Sequence, residues 1–253
     1  MQRPFLLVQL SDPHIGADWG GGDPGAMLSA AVASVLAVAP NPDAVLVSGD
    51  LADHALDREY EQVRELLAPL DAPLYVLAGN HDDRGALRRH FGVPGADSQP
   101  VQYVAEVGPL RLVVLDSTRP GEDSGELDAD RLAWLEITLA EAHEAPTLLA
   151  LHHSPLVTGI PVFDEFGLSA AACRALASVV AAHPQILRIV GGHMHRMASG
   201  KLGGRNVLAV TSTYVQSLLE FDAEEVAVSP EPSGFAVHAF ADGELVTHLQ
   251  PVR

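Results

Sequence analysis

The sequence predicts an α/β fold: two packed mixed β-sheets flanked by helices, arranged as a four-layer α/β/β/α sandwich. Up to residue 91, short apolar runs alternate with helical patterns, the order that builds a parallel sheet with crossover helices. From residue 198 the pattern becomes all-β, with turn pairs at Gly203-Gly204 and Asp242-Gly243. Several apolar runs stop at Asp, Asn or His, so that strands deliver polar groups to their carboxyl ends. With no linker, repeat or low-complexity tract, residues 1–253 read as one domain.

Residues 5–10 form the first strand, a short apolar run. Residues 11–25 are a loop rich in Gly and Asp, long enough to serve a site. A helix over 26–39 ends before Pro40, which has no N–H to continue it. Residues 43–48 are the second strand. A helix over 57–67 carries Tyr60, Val63, Leu66 and Leu67 close to a 3.6-residue period. A strand over 74–78 and a short helix over 85–91 complete the alternation. Residues 101–107 and 110–115 pair as a hairpin around Gly108-Pro109. The helix over 128–143 has Asp128 and Asp130 near its amino end and His143 near its carboxyl end, as the helix dipole prefers. Residues 147–151 are a strand, 154–166 a loop, and 169–182 an Ala-rich helix with Ser169 as N-cap. A strand follows over 186–190. Residues 218–233 are acidic and Pro-containing and read as a loop or edge excursion. The pair 235–240 and 244–249 closes the chain as a hairpin.

With 253 residues, 47% hydrophobic and 19% charged, the chain can bury a full core. No apolar run approaches the length needed to span a bilayer. The start, Met1-Gln2-Arg3-Pro4, lacks a signal-peptide pattern, so a cytoplasmic protein with no membrane partner is expected. The single Cys173 excludes an internal disulfide and suits a small core residue. A formal net charge of −18 argues against a nucleic-acid polymer as partner. A small anionic substrate stays open, because bound cations reverse the sign locally.

The chemistry gathers at five stretches: Ser11-Asp12-Pro13-His14, Gly49-Asp50, Gly79-Asn80-His81-Asp82, His152-His153 and Gly191-Gly192-His193-Met194-His195. In open α/β sheets, ligands bind beyond the carboxyl ends of the strands. Asp12 and His14 are two apart, as are His193 and His195, so each pair points two side chains the same way along extended backbone. Carboxylate, imidazole and one amide oxygen make a mixed O/N set that suits Mn, Fe, Co or Zn, and without a Cys it does not suit a structural zinc. Asp12, His14, Asp50, Asn80, His152, His193 and His195 are too many ligands for one ion. They suit two transition-metal cations sharing Asp50, which together can activate a bridging hydroxide and clamp an in-line displacement at phosphorus.

At these residues the sequence resembles the calcineurin-like metallophosphoesterase superfamily, whose pattern D-x-H, GD, GNH, H and GHxH it supplies in order. Within the superfamily it is most similar to class III cyclic nucleotide phosphodiesterases and the related glycerophosphodiesterases. Gly79-Asn80-His81-Asp82-Asp83-Arg84, Leu151-His152-His153-Ser154-Pro155 and the strands after Thr211-Ser212-Thr213 carry that likeness. The Tyr214 region departs from the Ser/Thr-x-His-Gln expected there. The resemblance implies that Asp12, His14 and His195 bind one metal with bridging Asp50, and that Asn80, His152 and His193 bind the other. It implies that His81 faces the phosphate without binding metal, as general acid or electrostatic stabiliser. Asp82 would orient His81. The implied activity is hydrolysis of small phosphodiesters, with 3',5'-cyclic nucleotides such as cAMP first and a homodimer as the working form. A glycerophosphodiesterase or phosphomonoesterase shares the site, and a metal-free scaffold of the same fold is the non-enzymatic alternative. A Ser/Thr protein phosphatase reads GDxxDRG and GNHE, whereas here Asp50 leads into Leu51-Ala52-Asp53-His54 and the later motif is GNHD.

Around this set, Asp53 and His54 read as a solvated helix start. His153 reads equally as a partner behind the ligands or a rim residue, Arg84 as a guide for an anion or a partner of Asp83, and Asp116 as a cap or a support. His90, His143, His183, His238 and His248 lie away from the motifs and read as surface or structural.

Overall fold

In the computed structural model, residues 3–39, 41–96 and 98–253 are described. Pro40, the expected helix stop, and the first two residues lie outside them. The elements run β1 (Phe5–Leu10), α1 (Pro24–Val38), β2 (Ala44–Val47), α2 (Asp57–Leu67), β3 (Leu74–Val76), α3 (Arg84–Phe91), β4 (Tyr103–Val107), β5 (Leu110–Val114) and α4 (Ala129–Ala140). They continue with β6 (Thr147–His153), α5 (Pro161–Phe166), α6 (Ala170–Ala182), β7 (Ile186–Gly192), β8 (Ala198–Leu202) and β9 (Arg205–Ala209). The short β10 (Gln216–Ser217) and β11 (Val228–Ser229) precede the long hairpin β12 (Gly234–Ala241) and β13 (Glu244–Pro251).

Two mixed sheets result. One has the order β13-β12-β1-β2-β3, and the other β4-β5-β6-β7-β9-β8. In the first, β1, β2 and β3 are parallel and β12 runs antiparallel to β1, with Leu7 opposite His238. In the second, β5, β6, β7 and β9 are parallel between antiparallel edges β4 and β8.

The two-residue period of the strands sorts the core into layers. Leu112, Val114, Leu148 and Ala150 join Val45 and Leu46 of the first sheet in one buried cluster. Their alternates Val113, Leu149 and Leu151 join Leu135 and Leu139 of α4 and Leu176 and Val180 of α6 in another. Each central strand is therefore buried on both faces, which is why it reads as an unbroken apolar run. A polar tie crosses between the sheets: Gln9 Nε2 donates to Ser48 Oγ (2.8 Å) and to the Gly191 carbonyl (3.3 Å). His238, buried, packs against the other end of the same amide, 2.9 Å from Gln9 Oε1, and is structural.

Helix starts follow local chemistry. Asp23 accepts from Gly25 N at 2.8 Å with Pro24 in the first turn, so α1 begins two residues earlier than its apolar pattern. Asp83, Asp128 and Ser169 cap α3, α4 and α6 in the same way. Within the stretch expected to be a loop, Pro161–Phe166 forms the short helix α5; Asp164 ties its entry by accepting from Thr158 N (2.7 Å) and Gly159 N (3.1 Å). Among the described residues, no helix is long and apolar enough to cross a membrane.

Candidate dinuclear metal site

Parallel strands share one carboxyl end, and the carboxyl ends of β1, β2 and β3 meet those of β6 and β7. The turns beyond them carry the candidate residues in an unusual backbone. Among the described residues, eight non-glycine positions have positive φ, and five of these are Asp12, His14, Asp50, His193 and His195. Such left-handed residues cost free energy and persist where neighbours over-determine them. Here His14 N donates to the Asp50 carbonyl (3.0 Å), Asp12 N to the Gly49 carbonyl (3.1 Å), and His193 N to Asp12 Oδ1 (3.0 Å). The flanking glycines make room. A Cβ at Gly79 would sit 2.7 Å from Asp50 Cγ, and one at Gly192 would sit 2.5 Å from Asp12 Oδ2.

Two groups of donor atoms overlap at Asp50, Asp12 with His14, Asp50 and His195, and Asp50 with His152 and His193; a third, His14 with Asp53 and His81, lies beside them. Asp50 belongs to the first two. Its Oδ1 accepts from His81 N at 2.9 Å, and its Oδ2 lies 3.4 Å from His14 Nε2 and 3.3 Å from His152 Nε2. Asn80 Oδ1 completes the second group, 3.1 Å from His152 Nε2 and 3.0 Å from His193 Nδ1. His14 Nε2 and His195 Nε2 face each other at 2.9 Å.

Each imidazole has its outward nitrogen on an acceptor, which fixes the tautomer and leaves the inward lone pair free. Nδ1–H donates from His14 to Asp53 Oδ1 (2.8 Å), from His195 to the Val215 carbonyl (2.9 Å) and from His152 to the Ser48 carbonyl (2.8 Å). His193 is reversed: its Nε2–H donates to the Phe166 carbonyl of α5 (3.0 Å), so Nδ1 points inward.

Electrostatics fit a missing positive charge. Asp12 is fully buried, and its Oδ2 has no hydrogen-bond partner among the described residues. Burial, with Asp50 nearby, raises the Asp12 pKa. Burial lowers His195 to about 4 and takes His193 well below its usual value, so both are neutral donors. His152 differs: burial opposes its charge, but Asp50 and Asp12 raise it to about 9. An orphaned buried carboxylate oxygen, with two carboxylates, four histidines and one amide around it, is a donor set that transition-metal cations satisfy.

The supporting residues differ in part from expectation. Asp53 is not a solvated helix start. Its buried carboxylate accepts from His14 Nδ1 and from Trp19 Nε1 (3.1 Å), and its carbonyl accepts from His81 Nδ1 (3.0 Å). Burial works against its charge, yet the bonds from His14 and Trp19 hold its pKa below the usual range. Its spacing, three residues after Asp50, was the available signal. Asp82 does not orient His81. The turn from Gly79 to Asp82 aims this carboxylate under the Asp50 loop, where it accepts from Gly79 N (2.9 Å), Leu51 N (3.1 Å) and Ala52 N (3.3 Å). Burial and the Asp50 charge raise its pKa to about 7. His153 is buried behind the ligands, with Ser117 Oγ at 2.9 Å and the Asp123 carbonyl at 3.0 Å. Arg84 pairs with Asp116 at 2.9 Å, so it is neither a guide for an anion nor a partner of Asp83.

The cleft above the donors has a volume of about 260 Å³, room for one small ligand. His81 lines it beside the donors, and Trp19, Phe163, Phe166 and Val215 form its apolar walls.

Residues 5–197 match the family model described as calcineurin-like phosphoesterase. The chain belongs to the calcineurin-like phosphoesterase family. Among similar proteins of this family, the phosphoesterase is 37% identical over 216 residues to the 3',5'-cyclic adenosine monophosphate phosphodiesterase CpdA of Pseudomonas aeruginosa, covering 83% of this chain and 77% of that one. It is 31% identical over 253 residues to a probable glycerophosphodiester phosphodiesterase GpdQ of Arcobacter nitrofigilis, covering 96% and 92%. It is 33% identical over 228 residues to a cAMP/cGMP dual specificity phosphodiesterase of Mycobacterium tuberculosis, covering 85% and 70%. In fold it is similar to a dimetal phosphatase from Danio rerio, with TM-score 0.76, 16% identity, and 100% and 98% coverage. The phosphoesterase is thus a metal-dependent hydrolase of phosphoric esters.

Proposed function

We propose that the phosphoesterase hydrolyses 3',5'-cyclic nucleotides, cAMP first, between two cations that share Asp50. The observation that carries this reading is the place of Asp50 Oδ2, between His14 Nε2 of one donor group and His152 Nε2 of the other. In this reading Asp12, His14 and His195 hold the first cation, and Asn80, His152 and His193 the second. The mixed O/N set favours Mn, Fe, Zn or Co. Bound there, the pair supplies Lewis acidity and water activation for in-line displacement at phosphorus.

The chain's own residues do the rest. The Asp53 carbonyl holds His81 Nδ1–H, which leaves Nε2 for the phosphoryl oxygens or the leaving oxygen. Among the described residues lining the cleft there is no Lys or Arg, so cations and His81 alone oppose substrate charge. That supports a monoanionic diester over a dianionic monoester. The printed names of two relatives, a cAMP and a cAMP/cGMP phosphodiesterase, support a cyclic nucleotide. The alignment of 96% of the chain with a glycerophosphodiester phosphodiesterase favours the second reading. A homodimer, as the resemblance implies, is part of the proposal; exposed Val157, Leu219 and Phe221 near the cleft support it.

A panel of cAMP, cGMP, glycerophosphodiesters and phosphomonoesters, assayed with added Mn, tests the proposal. The highest kcat/KM is expected for cAMP; a preference for glycerophosphodiesters installs the second reading. A purified protein that takes up no metal would support the scaffold alternative.

Metal loading also has a pH signature. Cation ligation needs neutral imidazole. In chelator-stripped protein His152 carries a proton below about pH 9, so a cation must displace it and affinity falls as pH drops from 9. Calorimetric titration with Mn at pH 7, in buffers of different ionisation enthalpy, should show proton release on loading. Loading without proton release would contradict the place given to His152.

A further inference from the structure

Trp19 stands out in the loop between β1 and α1. It is 48% exposed, unusual for a tryptophan, and it lines the cleft. Its contacts fix its orientation, and two of its ring partners, His14 and His195 (6.0 Å, 39°), line the cleft beside it. Its Nε1–H is used on Asp53 Oδ1 at 3.1 Å. The His14 ring meets it edge-on at 5.2 Å and 83°, and the buried Tyr214 ring at 5.2 Å and 73°. Gly20 N donates to Tyr214 Oη at 3.0 Å, so the loop itself is pinned. The indole is thus held in place, with its hydrogen-bonding atom consumed, and what it can offer a ligand is a π face. Phe163, Phe166, Val226 and Val228 add further apolar wall, and no described lining residue is Lys or Arg. A pinned aromatic face beside a phosphate site fits a planar heteroaromatic group, which a glycerol moiety lacks.

We infer that Trp19 is the platform on which the substrate's nucleobase stacks, and that it sets the preference for nucleoside over glycerol phosphodiesters. The inference rests on the cyclic nucleotide reading above. Base–aromatic stacking depends on the ring face and not on the indole N–H. Replacing Trp19 with Leu should therefore lower the ratio of kcat/KM for cAMP to that for glycerophosphoethanolamine by roughly 10- to 100-fold, mainly through the KM for cAMP. Trp19→Phe should keep most of the ratio. A structural role through Asp53 and His14 would move both substrates together and leave the ratio unchanged in Trp19→Leu, which would overturn the inference.

A binding readout separates this from catalysis. The chain has two tryptophans, so in Trp134→Phe protein the emission comes from Trp19 alone. With zinc loaded, AMP should quench that emission and glycerol phosphate should not. Saturating AMP without quenching would overturn the inference. If the wild-type enzyme hydrolyses cAMP but the Trp19 variants keep the ratio, stacking alone fails. If it cleaves only glycerophosphodiesters, the functional reading fails with it.

Discussion

Asp50→Ala should abolish turnover of bis-p-nitrophenyl phosphate, by more than about 10³-fold, and lower bound metal below two ions per chain. Even a residue that only supports a metal ligand is worth roughly 10–100-fold, and Asp50 stands in both donor groups. Alanine removes the one oxygen that lies 3.4 Å from His14 Nε2 and 3.3 Å from His152 Nε2, and with it the negative charge that the proposal sets against both cations. It also frees His81 N, which donates to Asp50 Oδ1. The sheets need not suffer, because Asp50 lies in the turn beyond β2. Thermal melting and circular dichroism of the variant provide that control. Asp50→Asn keeps the shape and loses the charge, so it should fall between wild type and alanine. Near-normal turnover by a folded Asp50→Ala protein would refute the shared-carboxylate reading.

His81→Ala should lower kcat for cAMP by roughly 10²- to 10⁴-fold while metal content stays at the wild-type level. The separation follows from the hydrogen bonds. His81 spends Nδ1 on the Asp53 carbonyl and belongs to neither group built around Asp50, only to the one with His14 and Asp53, whereas the four other imidazoles turn a nitrogen toward the Asp50 groups. Leaving-group dependence distinguishes its two chemical roles. If His81 protonates the departing oxygen, the deficit shrinks for p-nitrophenyl esters, whose leaving group needs no proton. If it stabilises charge on phosphorus, the deficit is similar for both substrates. Metal loss in parallel with activity would instead make His81 a ligand, against the geometry.

Much of the fold is legible because its signals are local. The bounds of β1 and α2 follow from a continuous apolar run and a clean 3.6-residue period, and Ser169 caps α6 as its side chain predicts. Strands β6 and β7 run two residues beyond their apolar cores, to His153 and Gly192, so His152 ends up inside a strand. Pairing between the two strands holds those polar residues in extended form, which no local pattern announces. The return of β12 to lie beside β1 is a pairing over more than two hundred residues and is equally silent in sequence.

The site divides in the same way. The residues that gather around Asp50 are legible because a motif fixes residue type and order. Asp53 and Asp82 are misread because both are carboxylates beside motif residues, and only the folded turns decide which one reaches an imidazole. Asp53, pulled in by His14 and Trp19, supports His14 and His81. Asp82, folded back on Gly79, binds three backbone N–H groups. The loop after His153 gives no sign that α5 will present the Phe166 carbonyl to His193, because six helical residues carry too little periodicity to read.

Anomalous scattering from crystals grown with Mn tests the two-cation centre most directly. Two peaks about 3.5–4 Å apart are expected. One should fall among Asp12, His14 and His195, the other among Asn80, His152 and His193, with Asp50 Oδ2 between them. A single peak, or a pair that leaves Asp50 outside coordination distance of either ion, would contradict the account.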